Sequence, residues 1–214
     1  MLKKPDCFTL KPLLIATLGV ALLGIISLIC FLFFINDFHV AWKLRKRGFD
    51  VQYEWINNLS PHIVVVGMGL NITPDDSQLL SRLSRLYELN FVDCNMSSLN
   101  LSEIENCQEL YDFRCVDVKQ FPLSEIRKLT ACPIKCIELS HVDMKDSDVK
   151  MFAGFSKLES LGLDGNNSEI TDASFEYFEK KLSLKTLVLL NTSITKEGAC
   201  AFQKKRPDVK LRLE

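Results

Sequence analysis

Residues 158–173 read "LESLGLDGNNSEITDA" and residues 184–198 read "LKTLVLLNTSITKEG". Both open with apolar residues at positions one, four and six, and both end in an Ile-Thr pair before a polar run. Self-similarity at a fixed spacing has to be tested before any single motif is trusted. Working outward, the register holds from Leu86: units start at Leu86, Leu110, Ile134, Leu158 and Leu184, with lengths of 24, 24, 24, 26 and 25 residues. A degenerate unit, "HIVVVGMGLNITPDDSQLLSRLSR", precedes them at 62–85.

The apolar triads are Leu86/Leu89/Phe91, Leu110/Phe113/Cys115, Ile134/Ile137/Leu139, Leu158/Leu161/Leu163 and Leu184/Leu187/Leu189. Positions four to six alternate inward, outward, inward, which is the period of a short strand. A second apolar pair follows at a spacing of three: Leu101/Ile104, Val149/Phe152, Phe175/Phe178 and Ala199/Phe202. That spacing puts both members on one helix face. Thr73, Thr171 and Thr195 stand where a helix N-cap is needed, since a Thr oxygen can accept an orphan amide of the first turn. Pro74 directly after Thr73 suits the first helical position. Each unit therefore reads as strand, turn, helix, turn. None can bury its apolar face alone, and stacking makes one continuous core.

The pattern L-x-x-L-x-L-x-x-(N/T)-x-I-T followed by a helix resembles leucine-rich repeats, and most closely the bacterial, ribonuclease-inhibitor-like type whose units read L-x-x-L-x-L-x-x-T-x-I-T-D-A-G. The resemblance covers about residues 62–213 and is carried best by the last two full units. It implies a short right-handed α/β solenoid of about six coils. The units over 86–133 depart from it: they lack the Ile-Thr turn, and Pro122 falls inside the expected turn or helix start. Their coils are expected to be irregular.

The N-terminal part has a different character. Pro12 to Ile35 is an uncharged run of 24 residues, about 36 Å long as a helix against a hydrocarbon core of roughly 30 Å. Residues 1–47 hold seven basic and two acidic side chains, a net of +5, which leaves −6 for the rest of a chain whose net charge is −1. A basic leader and an acidic body read as a membrane segment carrying a folded domain, with no nucleic-acid partner. A cleaved signal peptide is the rival, but its apolar core runs about 7–15 residues and ends at small residues, whereas "SLICFLFFI" offers no such site. Gly19 and Gly24 are five apart and do not make a G-x-x-x-G dimer face. Lys43, Arg45, Lys46 and Arg47 nearly balance the basic tail, so the charge rule barely decides orientation. The short tail favours a body outside the cytoplasm. The expected organisation is a basic tail over 1–11, a transmembrane helix over 12–36, a juxtamembrane helix and cap hairpin over 37–61, and a solenoid over 62–214. Within the cap, "FHVAWKLRKR" continues the helix to Gly48, "FDVQYEW" forms a strand, Asn57-Asn58 turn the chain, and "VKLRL" at 209–213 closes the far end.

No arrangement for catalysis emerges. His39, His62 and His141 are scattered, and His141 near Asp143 lacks a nucleophile. The "GMG" at 67–69 lacks the spacing of a phosphate loop and reads as a tight turn or bulge. Of the eight cysteines, none pair with zinc spacing. Cys107 and Cys132 hold near-equivalent places in adjacent coils, where a disulfide would be possible in an oxidising compartment. The Asn-x-Ser/Thr triplets at Asn71, Asn95, Asn100, Asn166 and Asn191 read first as turn residues. No enzyme activity, cofactor or metal site is expected.

Positions three, five and seven of each unit should line the concave strand face, an extended surface that solenoids use for binding. Glu88, Asn90, Asp112, Arg114, Glu138, Ser140, Ser160, Asp164 and Thr186 fall there, a mixed set leaning acidic. The expected function is a membrane-tethered interaction module that binds a protein or surface polymer through this face, with the bilayer engaged by residues 12–36. The alternative is a structural component of a membrane or envelope assembly in which the solenoid is a spacer.

Overall fold

The computed structural model describes residues 10–56, 60–104, 107–164 and 169–213. Its body is built on one eight-stranded sheet whose strands follow in chain order. They are β1 (Asp50–Ile56), β2 (Ser60–Met68), β3 (Leu86–Val92), β4 (Asp112–Val116), β5 (Cys136–Ser140), β6 (Ser160–Asp164), β7 (Thr186–Leu190) and β8 (Lys210–Leu213). β1 and β2 form an antiparallel hairpin, and every later neighbour is parallel. The turn expected at Asn57-Asn58 lies outside the described residues.

The register repeats from coil to coil. Position four aligns as Leu89↔Phe113, Phe113↔Ile137, Ile137↔Leu161, Leu161↔Leu187 and Leu187↔Leu211. These side chains point inward and are buried, Leu211 at the open end only partly. A slip of one residue would turn each such row to solvent, so burial fixes the register strongly. The result is an α/β repeat built on a single sheet.

The return segments lie on the other side of the core. They are α2 (Pro74–Ser81), a 3-10 turn at Leu101–Ile104, α3 (Leu123–Ile126) with a 3-10 turn at Arg127–Ala131, α4 (Asp146–Val149) with Lys150–Gly154, Asp172–Ser174 leading into α5 (Phe175–Glu179), and α6 (Lys196–Lys205). All four spaced pairs named above are buried. The coil at 86–109 is irregular, with four residues of 3-10 helix as its described return helix. Pro122 sits at the N-cap of α3, with φ −80° and no side-chain cap, so it starts a return helix rather than breaking one. The threonines cap as expected: Thr73 accepts from the Asp76 amide, Thr171 from Ala173 and Thr195 from Gly198.

In five units position eight, just past the strand, bends through the left-handed region: Gly69, Asp93, Asp117, His141 and Asn191 have φ of 65°, 49°, 54°, 55° and 53°. Gly, Asn, Asp and His are the residues that tolerate it. The "GMG" glycines have separate reasons. Gly69 takes this bend, and a Cβ on Gly67 would come within 3.0 Å of the Phe49 ring.

A single helix, α1 (Leu10–Lys46), runs without a break from the apolar segment into the body. It is long and apolar enough to cross a membrane, and its exposed stretch includes Leu23, Ile26, Phe31 and Phe34. From Asp37 onward it becomes the N-terminal cap: Val40, Ala41 and Leu44 are buried in the common core. Asp37 is fully buried and accepts from the Ser84 amide (2.9 Å), the Ser84 hydroxyl (2.7 Å) and Arg85 (3.4 Å). Gly48, at φ 98°, ends the helix and lets Phe49 turn back into the core.

Candidate functional site

The pleat sends odd and even strand positions to opposite faces. Because the strands are parallel and in register, positions three, five and seven form three rows on the open face. The first row aligns Glu88, Asp112, Cys136, Ser160, Thr186 and Lys210. The second aligns Asn90, Arg114, Glu138, Gly162, Val188 and Arg212. The third aligns Val92, Val116, Ser140, Asp164 and Leu190. All nine residues expected on the concave face are in these rows. Strand parity put them there, and no contact between them was needed to find them.

The geometry divides the face into two zones. In the first, Arg114 is ringed by carboxylates. Its guanidinium donates to both oxygens of Asp112 (Nε–Oδ1 3.0 Å, Nη2–Oδ2 2.5 Å). Its Nε lies 4.0 Å from Glu88 Oε1 and 3.9 Å from Glu138 Oε2. Asp112 is buried, at 7% exposure. Its fork-to-fork pair with Arg114 is thus a fixed part of the face. Burial raises the Glu88 carboxyl above the usual range; Arg114 opposes this, and Asp112 and Glu54 add to it. Hydrogen bonding to Asp112 holds the Arg114 guanidinium in its charged form. Beside them Asn90 Oδ1 is buried without a hydrogen-bond partner.

The second zone is a shallow cavity of ≈ 250 Å³ over β5, β6 and β7. Gly162 leaves its floor without a side chain. A Cβ there would meet only ordinary contact, 3.5 Å from Glu138 Cγ, so the glycine opens space that packing does not require. Glu138, Asp164, Val188, Leu190 and Arg212 surround it. Cys136 lies at its edge as a free thiol, pushed up to about 11 by burial first and by Asp112 second. A thiol held that high stays protonated and is a poor nucleophile.

One expectation needs correction. The face was read as leaning acidic, but its far end carries Lys210 and Arg212, so it grades from an acidic zone through Gly162, Val188 and Leu190 to a basic edge. "VKLRL" was read as a closing strand alone, and the same parity rule already placed both cations on this face. His141 Nδ1 lies 2.6 Å from Asp117 Oδ1 in the neighbouring coil. Cys107 and Cys132 are not joined in a disulfide, and the Cys132 thiol donates to the Ile104 carbonyl (3.4 Å).

Sequence reasoning also missed a set of inter-coil clamps. Asp172 accepts from both the amide (2.8 Å) and the hydroxyl (2.6 Å) of Thr195 in the next coil. Asp146 does the same for Thr171, at 2.8 and 2.6 Å, and also accepts from Ser174. The Asp that follows the helix N-cap, Lys145 in one coil and Thr171 in the next, is therefore a coil-to-coil staple. At the end of the stack Arg206, 7% exposed, donates to the carbonyls of Phe178, Glu179, Lys181 and Leu184.

Comparison with protein-family profiles finds no match, and comparison with curated protein sequences finds none. Among solved structures, an internalin from Listeria monocytogenes aligns with 66% of this chain at 15% identity and a TM-score of 0.29. The alignment spans 57% of that protein's length.

Proposed function

We propose that the chain is a membrane-tethered, non-catalytic interaction module of the bacterial leucine-rich-repeat type, with a ribonuclease-inhibitor-like solenoid. Its ligand is a protein or surface polymer held on the concave face. The observation that carries this is the open face itself. No described element covers it, it joins a carboxylate ring around Arg114 to an apolar cavity, and Asn90 Oδ1 is left without a donor. Such a face fits a ligand that brings a cation to Glu88 and Glu138, an amide or hydroxyl donor to Asn90, and an apolar group to Val188 and Leu190.

On this reading the body lies outside the cytoplasm. Much of the basic cluster after the apolar run has a structural use. Arg47 pairs with Asp76 (2.8 Å), Lys46 Nζ sits 3.9 Å over the Trp42 ring and Arg45 sits 5.8 Å over the Tyr53 ring.

The test is co-purification of partners with the full chain from native membranes. Glu88→Lys with Glu138→Lys should abolish it, while the return-face change Lys204→Glu should not. Asp112 is left intact because its burial would confuse binding with folding. Undiminished binding by a folded double variant would rule out the concave face.

A further inference from the structure

The position of the body relative to the apolar run follows from α1. The run ends at Ile35, Asn36 Nδ2 donates to the Arg82 carbonyl (3.1 Å), and buried Asp37 holds Ser84 and Arg85. At 1.5 Å per residue, Asp37 lies about 3 Å beyond Ile35 along the helix. The headgroup layer on each side of the hydrocarbon is about 5–7 Å deep. The turn at 84–85 therefore sits in that layer when the run spans a bilayer.

Turn 84–85 leads into β3, and the equivalent turns of the other coils share its edge. The backbone ladder Tyr111 N→Tyr87 O, Lys135 N→Tyr111 O, Glu159 N→Lys135 O, Lys185 N→Glu159 O and Lys210 N→Lys185 O runs along it. The chemistry of this strand-entry edge is interfacial. Leu182 is 86% exposed and Trp55 is 66% exposed. Lys157, Lys180 and Lys185 flank Leu182 and are exposed. Lys180 pairs with Glu176 across open solvent, where such pairs hold weakly, and Lys185 pairs with Glu159, which is 29% exposed and also holds Lys135. The opposite, strand-exit edge carries Asp93, Asp117, Asp143, Asp148 and Glu169, with Lys119 paired to Asp93 and Lys145 among the rest, so it holds more carboxylates than lysines. It is level with Lys46, about 14 Å further along α1, which exceeds the screening length of about 8 Å at physiological salt.

We propose that the strand-entry edge rests on the same bilayer that α1 enters, with Leu182 and Trp55 among the headgroups and Lys157, Lys180 and Lys185 on anionic lipid phosphates. This rests on the proposed tether. It goes beyond it by making the body a surface-bound disc, with the concave face upright and turned along the membrane rather than away from it.

The probe is a single tryptophan in the full chain, on a Trp42→Phe, Trp55→Phe background. The protein is reconstituted into phosphatidylcholine vesicles with and without phosphatidylglycerol, each also made with acyl chains brominated near the headgroup. Leu182→Trp should be blue-shifted and quenched in the anionic vesicles, and Lys157→Gln, Lys180→Gln and Lys185→Gln together should remove most of the quenching. Lys145→Trp on the exit edge should stay unquenched. Phe31→Trp reports insertion of α1. If Phe31→Trp is unquenched, the tether fails and this proposal with it. If Phe31→Trp is quenched and Leu182→Trp matches Lys145→Trp, the tether stands and the lipid-facing edge is wrong. Quenching of Leu182→Trp that ignores lipid charge and the three lysines overturns the anionic contact.

Discussion

Replacing Gly198 by alanine separates the inter-coil staple from ordinary helix propensity, because the two predict opposite signs. Gly198 lies in the first turn of α6, half-buried, and its amide donates to Thr195 Oγ1 (2.9 Å). Its φ is not left-handed, so propensity alone favours alanine by about 1 kcal/mol. A Cβ there, however, would lie 2.5 Å from Asp172 Oδ2 and closer still to its Oδ1 and Cγ, inside the 3.0 Å that real Cβ atoms keep. The carboxylate must swing away and give up both bonds from Thr195. Each is worth about 1–1.5 kcal/mol at a partly exposed site, so the loss of about 2–3 kcal/mol outweighs the propensity gain. Gly198→Ala should destabilise by about 1–2 kcal/mol net. In an Asp172→Ala background the clash and the bonds are both gone, and the same change should stabilise by up to about 1 kcal/mol. Urea unfolding of the four proteins in one detergent, followed by circular dichroism, gives the cycle. A Gly198→Ala effect of the same sign in both backgrounds would refute the staple.

The remaining predictions use other parts of the stack. At Asp146, burial alone would raise the pKa, but the hydrogen bonds from Ser174 and Thr171 outweigh it and the pKa is lowered. Its contribution is therefore full above the unfolded value of about 3.9 and lost as pH falls through the lower folded value. The stability gap between wild type and Asp146→Asn should close on acidification through that window, as read by unfolding midpoints at stepped pH. Arg206→Ala strips four carbonyls of their buried donor and should cost about 3 kcal/mol by denaturant titration; Arg206→Lys, lacking the planar fork, should recover only part of it. Asp37→Ala leaves Ser84 and Arg85 without their acceptor and should cost about 3 kcal/mol on the same titration. Cys200 is exposed. A membrane-impermeant maleimide should label it in intact cells or spheroplasts, and labelling that appears only after lysis would place the body inside.

Strand positions were legible because sheet parity and burial act over two residues at a time. The triads from Leu86 to Leu189 name the inward rows, and the register pairs follow from their equal spacing. Thr73, Thr171 and Thr195 were legible for a similar reason, since a cap is a local bond. What stayed hidden depends on residues in adjacent coils. Asp146 and Asp172 look like ordinary first-turn acids until the next coil brings its Thr against them. His141 sits two residues from Asp143, yet its partner is Asp117, 24 positions away. Arg206 looks like a surface cation and is buried, because it donates to carbonyls of the coil before it, 22 to 28 positions away. On the concave face the parity rule was complete but was applied only to polar side chains. Gly162, Val188 and Leu190 were passed over, and they make the cavity.

The most direct test of the account is where the partner touches. A photo-crosslinking amino acid at Ser160, on the concave face, is compared in native membranes with the same residue at Lys204, exposed on α6. The account predicts a discrete adduct from Ser160 that disappears with Glu88→Lys and Glu138→Lys, and none from Lys204. An adduct from Lys204 alone, or a Ser160 adduct indifferent to those charges, would contradict it.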